Sequence, residues 1–370
     1  MTVTAVSPAV ASDGGELIPP ATLNQLFYDA VERHNRPNAL QVKAGGSYQP
    51  ISHRTLAERV RRAGLGLRAL GIAAGARVGI LSENRPEWAI ADYACLTSRL
   101  TDVPIYPTLP AEQMRYILRD SGAAAIFIST VEQARKVSSI RDELPDLRWV
   151  ISFDDVEEAG VDLTLAALES RGAAEDSAEV AARYREEALR ATPDDLATII
   201  YTSGTTGEPK GAMLTHGNIA SNVAAVIRII PTTGDDVSLS FLPLSHILER
   251  MFDYFMFAMG VSIAYVESMD TIVQNIGEVR PTIVVAVPRV YEKIYARVLE
   301  NALSGSAIKK RIFFWARAVG RRWTEAMLAG RSPGTLLQAQ HAIADRLVFS
   351  KLRARVGGRM RYFVSGAAPL

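Results

Sequence analysis

Between Thr202 and Gly211 the chain places three glycines, four hydroxyl residues and one lysine in ten positions, directly after the apolar run Leu196, Ala197, Ile199, Ile200. Gly204 and Gly207 permit backbone conformations with positive φ, and they let a polyanion approach main-chain N–H groups that a side chain would obstruct. Thr202, Ser203, Thr205 and Thr206 add hydroxyl donors, and Lys210 adds a compact charge able to follow a moving phosphate. Pro209 stiffens the segment just before the lysine, while the glycines leave the part before it free to bend. This composition suits a loop at a strand end that closes over phosphates; a mobile polar turn is the plainer reading. The P-loop of nucleoside triphosphatases is excluded, because it needs glycine immediately before the lysine and a hydroxyl immediately after it, whereas Lys210 stands between Pro209 and Gly211.

Three further segments offer candidate chemistry. Phe241 to Arg250, FLPLSHILER, leaves an apolar strand through Pro243 and presents His246 at a helix start, near N–H groups that lack helical partners. That histidine is either a helix cap or a ligand-facing group, with positioning a more defensible role than general-base catalysis. Val285 to Tyr295, VAVPRVYEKIY, is an apolar strand running into a helix at Pro288. Val364 to Leu370, VSGAAPL, ends a strand in small residues that could admit a flat ring against the backbone. The single cysteine, Cys95, falls in an apolar helical pattern and reads as a core thiol rather than a nucleophile. No Ser-His-Asp or Cys-His pattern is defensible.

YTSGTTGEPKG, Tyr201 to Gly211, resembles the signature phosphate loop of the AMP-forming, adenylate-forming synthetases, which include acyl-CoA synthetases, luciferases and peptide-synthetase adenylation domains. By that resemblance Thr202, Ser203, Gly204, Thr205, Thr206, Gly207 and Lys210 hold the β- and γ-phosphates of ATP, and Thr202 also helps ligate Mg²⁺. His246 would lie beside the acyl carboxylate and the adenylate. Val285 and Val287 would border the acyl tunnel, and Gly366, Ala367, Ala368 and Pro369 would form the adenine-contacting turn. PLSH-I-x-ER, VAVPRVYEKIY and the long helical excursion before SGAAPL look most like long-chain fatty acid–CoA ligases, with CoA as co-substrate. A fatty acyl-AMP ligase, a carboxylic acid reductase module and a non-enzymatic binding remnant are the alternatives. ISHRTLAERV, Ile51 to Val60, and Trp88 to Leu100 running into Val103-Pro104-Ile105-Tyr106-Pro107 resemble the family's first two core motifs. The family's later residues, a Mg²⁺-ligating glutamate, a ribose-binding aspartate and a C-terminal domain with the adenylation lysine, have no counterpart in these 370 residues. The chain therefore reads as an N-terminal fragment, expected to adenylate poorly or not at all by itself.

The elements that must position these residues follow an α/β pattern. Leu23, Leu26, Phe27, Ala30 and Val31 mark one helix face; Leu56, Val60, Ala63, Leu67 and Leu70 mark another, closed by Gly71. Short β-rich runs at Arg77–Ser82, Val103–Tyr106, Ala124–Ser129 and Trp149–Phe153 alternate with helical patterns at Pro86–Leu100 and Ala111–Asp120. A helical or loosely ordered connection without strand signal spans Val156–Ala191. A second series follows at Ala197–Thr202, Val237–Leu242, Ser262–Val266, Thr282–Val287 and Met360–Val364. The expectation is two doubly wound parallel sheets, as a disordered leader at 1–17 and two α/β subdomains at 18–195 and 196–370; the resemblance implies in addition that helices are sandwiched between the sheets.

The 41 Lys plus Arg nearly cancel the 40 Asp plus Glu, so no global field recruits nucleic acid. The first residues lack a basic region and a sustained apolar run, unlike a signal peptide. Met251 to Val266, broken by Asp253 and Gly260, falls short of a membrane span. A reducing cytoplasm fits. At 308–323, Ile308, Ile312, Trp315, Val319 and Trp323 form an apolar stripe, with Lys309, Lys310, Arg317 and Arg321 elsewhere around the helix. It reads either as a core-packed helix with a solvated basic face or as a peripheral membrane contact.

Overall fold

Runs such as Val78–Leu81 and Ile126–Ile128 are apolar on both faces, as a strand covered by helices on both sides requires. The computed structural model describes residues 21–156, 158, 160–202 and 208–368, so the leader expected at 1–17 lies outside the described residues. By internal packing the chain divides into a unit within 17–269 and a second within 270–370.

The strands of the first unit are β1 (Leu40–Ala44), β2 (Ser47–Ile51), β3 (Arg77–Leu81), β4 (Thr101–Ile105), β5 (Ala123–Ile128), β6 (Trp149–Ser152), β7 (Leu163–Thr164), β8 (Leu196–Thr202), β9 (Lys210–Thr215), β10 (Val237–Ser240) and β11 (Ser262–Tyr265). Seven of them form one sheet in the order β7-β6-β5-β3-β4-β8-β9, parallel except for β9; β10, β11, β1 and β2 lie side by side in another, with β2 antiparallel. The helix Pro86–Thr97 is buried along its whole length apart from Glu87, and it touches β3 and β4 on one side and β1 on the other. It is one of the sandwiched helices that the family resemblance implies. On the far face of the seven-stranded sheet, Met114, Ile117, Leu118, Ala134 and Val137 pack on Leu81, Val103, Ile126 and Ile199.

In the second unit β12 (Ile283–Ala286) and β13 (Tyr362–Ser365) pair in parallel. The helices between them include Pro288–Leu303, Ala307–Leu328 and Thr335–Ala344.

The structure departs from the sequence reading in three places and agrees with one of its two alternatives in a fourth. The expected boundary at 195/196 does not coincide with a sheet boundary, because β8 pairs with β4 at Asp102–Thr198 and β1 pairs with β11 at Leu40–Ile263. Val156–Ala191 contains the short strand β7 as well as helices Leu165–Ala173 and Ala178–Leu189. The β1–β2 hairpin was not anticipated, although Gly45 and Gly46, at φ 59° and 85°, make the two-residue turn that a Gly-Gly pair signals. In Ala307–Leu328, finally, Val319 is buried with Ala316 and Ala344, Trp315 packs against that cluster, and Trp323 stacks on His341 at 4.1 Å. The tryptophans of the apolar stripe thus face a neighbouring helix, as the core-packed reading of this segment expects.

Candidate functional site

The phosphate-loop candidate is the connection of a β-hairpin. β8 and β9 are antiparallel, and their register sets Thr202 directly opposite Lys210. Lys210 is therefore the first residue of a strand. Opposed residues on antiparallel strands project to one face, so a hydroxyl and an ammonium, both exposed, stand together at the neck of the loop. Ser203, Gly204, Thr205, Thr206 and Gly207 lie outside the described residues. Gly211 has a packing reason of its own: a Cβ there would lie 2.7 Å from Ile199 Cγ2 and 3.1 Å from the Tyr201 ring. Tyr201 is anchored in turn by its hydroxyl, which donates to Asp120 Oδ2 at 2.5 Å. The hairpin stem is held rigidly below the loop.

His246 is the N-cap of helix Ile247–Ala258 and is exposed. Its Nδ1 accepts the Leu248 N–H at 3.2 Å, which satisfies one of the orphan donors of the first turn. With that lone pair engaged, the neutral ring carries its proton on Nε2. The outward edge of His246 is then a hydrogen-bond donor, suited to holding an anionic oxygen and not to removing a proton. The loop before it is tightly tied. His246 N–H donates to the Pro243 carbonyl at 2.9 Å, and the Phe241 N–H donates to Glu249 Oε1 at 3.2 Å. Asn84, from the turn after β3, bonds both Leu242 and Leu244. Thr202 ends β8 and Asn84 follows β3, and both strands run parallel to β4. The hairpin neck and the His246 loop therefore meet the same carboxyl-terminal edge of the seven-stranded sheet, where open α/β sheets place ligands.

Beneath this edge lies a buried ionic cluster. Arg250, 1% exposed, donates from Nη1 to Asp102 Oδ1 at 2.8 Å and to Thr198 Oγ1 at 2.9 Å, and from Nη2 to Asp102 Oδ2 at 2.6 Å and to Asp92. Its Nε donates to the Tyr254 hydroxyl at 2.8 Å, which donates to Asp92 Oδ2 at 2.6 Å. One guanidinium so links β4, β8 and two helices. Sequence reasoning passed over Asn84, Glu249 and Arg250 as actors. The available signal was a lone acid in each of two otherwise apolar runs, Asp92 and Asp102, since buried acids are rarely left without a partner.

In the second unit the candidate positions converge at the ends of the two strands. Val285 pairs with Val364 and Ala286 with Ser365, and Gly366 N–H donates to the Ala286 carbonyl at 3.2 Å. Val285 is buried and Val287, the cap before Pro288, is half-buried. Ala367 takes a left-handed φ of 66°, so the chain turns sharply at exposed small residues; Pro369 lies outside the described residues. The Tyr291 hydroxyl, 2.7 Å from the Val364 carbonyl, ties the helix start to β13.

The family model for AMP-binding enzymes matches residues 27–370. The chain is 41% identical over 328 residues to the long-chain-fatty-acid–CoA ligase FadD15 of Mycobacterium bovis, covering 88% of this chain and 53% of that protein. It is 34% identical over 360 residues to the peroxisomal long chain acyl-CoA synthetase 6 of Arabidopsis thaliana, covering 95% of this chain and 49% of that one. The chain thus spans about half the length of the curated relatives it matches. Among solved structures, the A-PCP didomain of carboxylic acid reductase from Segniliparus rugosus, in complex with AMP, superposes with a TM-score of 0.70 at 21% identity, over 96% of this chain and 50% of that chain. At that identity the likeness concerns the fold. Because the family match runs through both units and every candidate position described above, the chain belongs to the AMP-binding enzyme family.

Proposed function

We propose that the protein, at its full natural length, is a long-chain fatty acid–CoA ligase. The observation that carries this reading is the 41% identity to a long-chain ligase across 88% of the chain. A fatty acid carboxylate attacks the α-phosphate of ATP, the bond to the β-phosphate breaks, and acyl-AMP and pyrophosphate form. The CoA thiol then attacks the acyl carbon, giving the thioester and AMP.

The assigned work is positioning and charge neutralisation. Lys210 and the Thr202 hydroxyl, paired at the hairpin neck, meet the departing pyrophosphate, with Ser203 to Gly207 closing over it. Thr202 would be the protein oxygen on the Mg²⁺ that arrives with ATP, an ion that takes most of its ligands from phosphate and water and here neutralises phosphate charge. His246 offers Nε2–H to the carboxylate or the adenylate. Gly366 to Ala368 receive the adenine ring, and Val285 and Val287 border the acyl chain.

Pyrophosphate release from Mg-ATP, measured with fatty acids of graded length, with and without CoA, tests the reading. Acid-dependent release with CoA-dependent thioester supports it. Release without thioester points to an acyl-AMP ligase or a reductase module, and no release at all removes the enzyme assignment. Residues 1–370 alone are expected to release little.

Contact with an anionic bilayer would run through the exposed basic face of Ala307–Leu328, using Lys309 and Arg317 beside the exposed Ile308 and Phe314. Lys309→Glu with Arg317→Glu should weaken co-sedimentation with phosphatidylserine vesicles. Equal sedimentation would remove that contact.

A further inference from the structure

Asn84 lies in Ser82-Glu83-Asn84-Arg85-Pro86, between β3 and the sandwiched helix. Its carboxamide is spent on a loop about 160 residues further along the chain. Nδ2 donates to the Leu242 carbonyl at 2.6 Å and to Ser240 Oγ at 3.3 Å, and Oδ1 accepts the Leu244 N–H at 2.9 Å. One side chain thus clamps the backbone on both sides of Pro243, whose carbonyl receives the His246 N–H. The turn carrying Asn84 is pinned as well. On one side, Glu83 accepts from Ser129 Oγ at 2.5 Å and from Gln133 Nε2 at 3.0 Å, at the end of β5. On the other, Arg85 makes a two-pronged pair with Asp154, at 2.6 and 2.7 Å, beyond β6.

We infer that Asn84 is a positioning residue: it transmits the placement of the seven-stranded sheet, whose edge carries Thr202 and Lys210, to the loop that holds His246. The inference rests on the ligase reading for its catalytic consequence but not for its structural one. Only an amide serves both ends of the clamp. Aspartate keeps the acceptor for Leu244 but sets a carboxylate against the Leu242 carbonyl, and alanine loses all three bonds.

The experiment uses the protein at its full natural length in the wild-type form, as Asn84→Ala, as His246→Ala and as the double variant. Pyrophosphate formation and amide hydrogen exchange across 241–248 are read for each. Because a misplacement of about 1 Å can cost 10²-fold in rate, Asn84→Ala should lower kcat by roughly 10- to 100-fold with the KM for ATP little changed, and exchange at Leu244 and Leu248 should accelerate. In the His246→Ala background the same change should cost less than about twofold, since residues acting as one unit are non-additive. Equal losses in both backgrounds, or unchanged kcat with unchanged exchange, would overturn the inference. If Asn84→Ala does not fold, Asn84→Asp preserves size and one bond and is expected to show the same pattern. Should the wild type form no pyrophosphate, the ligase reading fails separately, and exchange alone decides: acceleration supports the clamp and unchanged exchange overturns it.

Discussion

Lys210 stands across from Thr202 on an exposed strand end, and two different consequences of removing it follow from that place. Lys210→Ala deletes a charge without deleting a core contact, so stability should stay within about 0.5 kcal/mol of wild type. Pyrophosphate formation should fall on the order of 10²-fold or more, the loss seen when one preorganised donor is taken from developing negative charge. Turnover and the unfolding midpoint, measured together, check the pair, and unchanged turnover would take Lys210 out of the reaction. The lysine, its glycines and its hydroxyls stand out in the sequence because they are contiguous, and their phosphate role is the reading proposed above. Arg250 does not. It stands four residues from His246 in the same motif, yet its partners Asp92, Asp102 and Thr198 come from distant segments, and nothing in the motif reveals that it is buried.

At the scale of elements, close approach between helices His53–Ala69 and Leu165–Ala173 depends on missing side chains. A Cβ on Gly172 would sit 1.9 Å from the Arg62 carbonyl oxygen, and one on Gly66 would sit 2.3 Å from the Leu168 carbonyl oxygen. Backbone cannot swing aside as a flexible side-chain tip can. Gly172→Ala should therefore destabilise by about 1–3 kcal/mol, the usual cost of overpacking, despite alanine's better helix propensity. A denaturant midpoint at or above wild type would contradict the close packing. Most of the parallel strands, such as β3, β5 and β8, were readable to within a few residues because each is a β-rich run flanked by helix signals, whereas β1 and β7 were not read. β9 was read as loop because Lys210-Gly211-Ala212-Met213-Leu214-Thr215 is an exposed edge with no alternation to mark it, Met213 being 66% exposed.

At the scale of the whole molecule, buried titratable groups pull stability in opposite directions along the pH axis. Burial pushes His53 and His216 down to about 4 each. Between about 6.5 and 4 the unfolded chain takes up protons that the folded one refuses, so their contribution is complete above that window and is lost as pH falls. Burial pushes Asp253 up to about 7 and Glu249 well above the carboxylate range. There the folded state keeps a proton that the unfolded chain releases above about 4, so that contribution is present at low pH and is lost as pH rises through 7. Asp253→Asn should accordingly flatten the decline of the thermal midpoint between pH 5 and 8, and an unchanged slope would mean that Asp253 is ionised in the fold. Sheet membership was the least legible property at this scale. The α/β alternation shows that sheets form, but no local pattern shows that β1 joins β11 or that β8 joins β4.

The β1–β11 pairing also bears on how the chain is made. Leu40 leaves the ribosome roughly 220 residues before its partner Ile263. At about 5–20 residues per second, that is a wait of some 10 to 45 seconds. Through that interval the β1–β2 hairpin has no sheet to join, and a lone two-stranded hairpin is marginally stable at best. The first unit cannot close during synthesis until its last strand has emerged, so the edge of β1 stays open to other strands on the nascent chain until then.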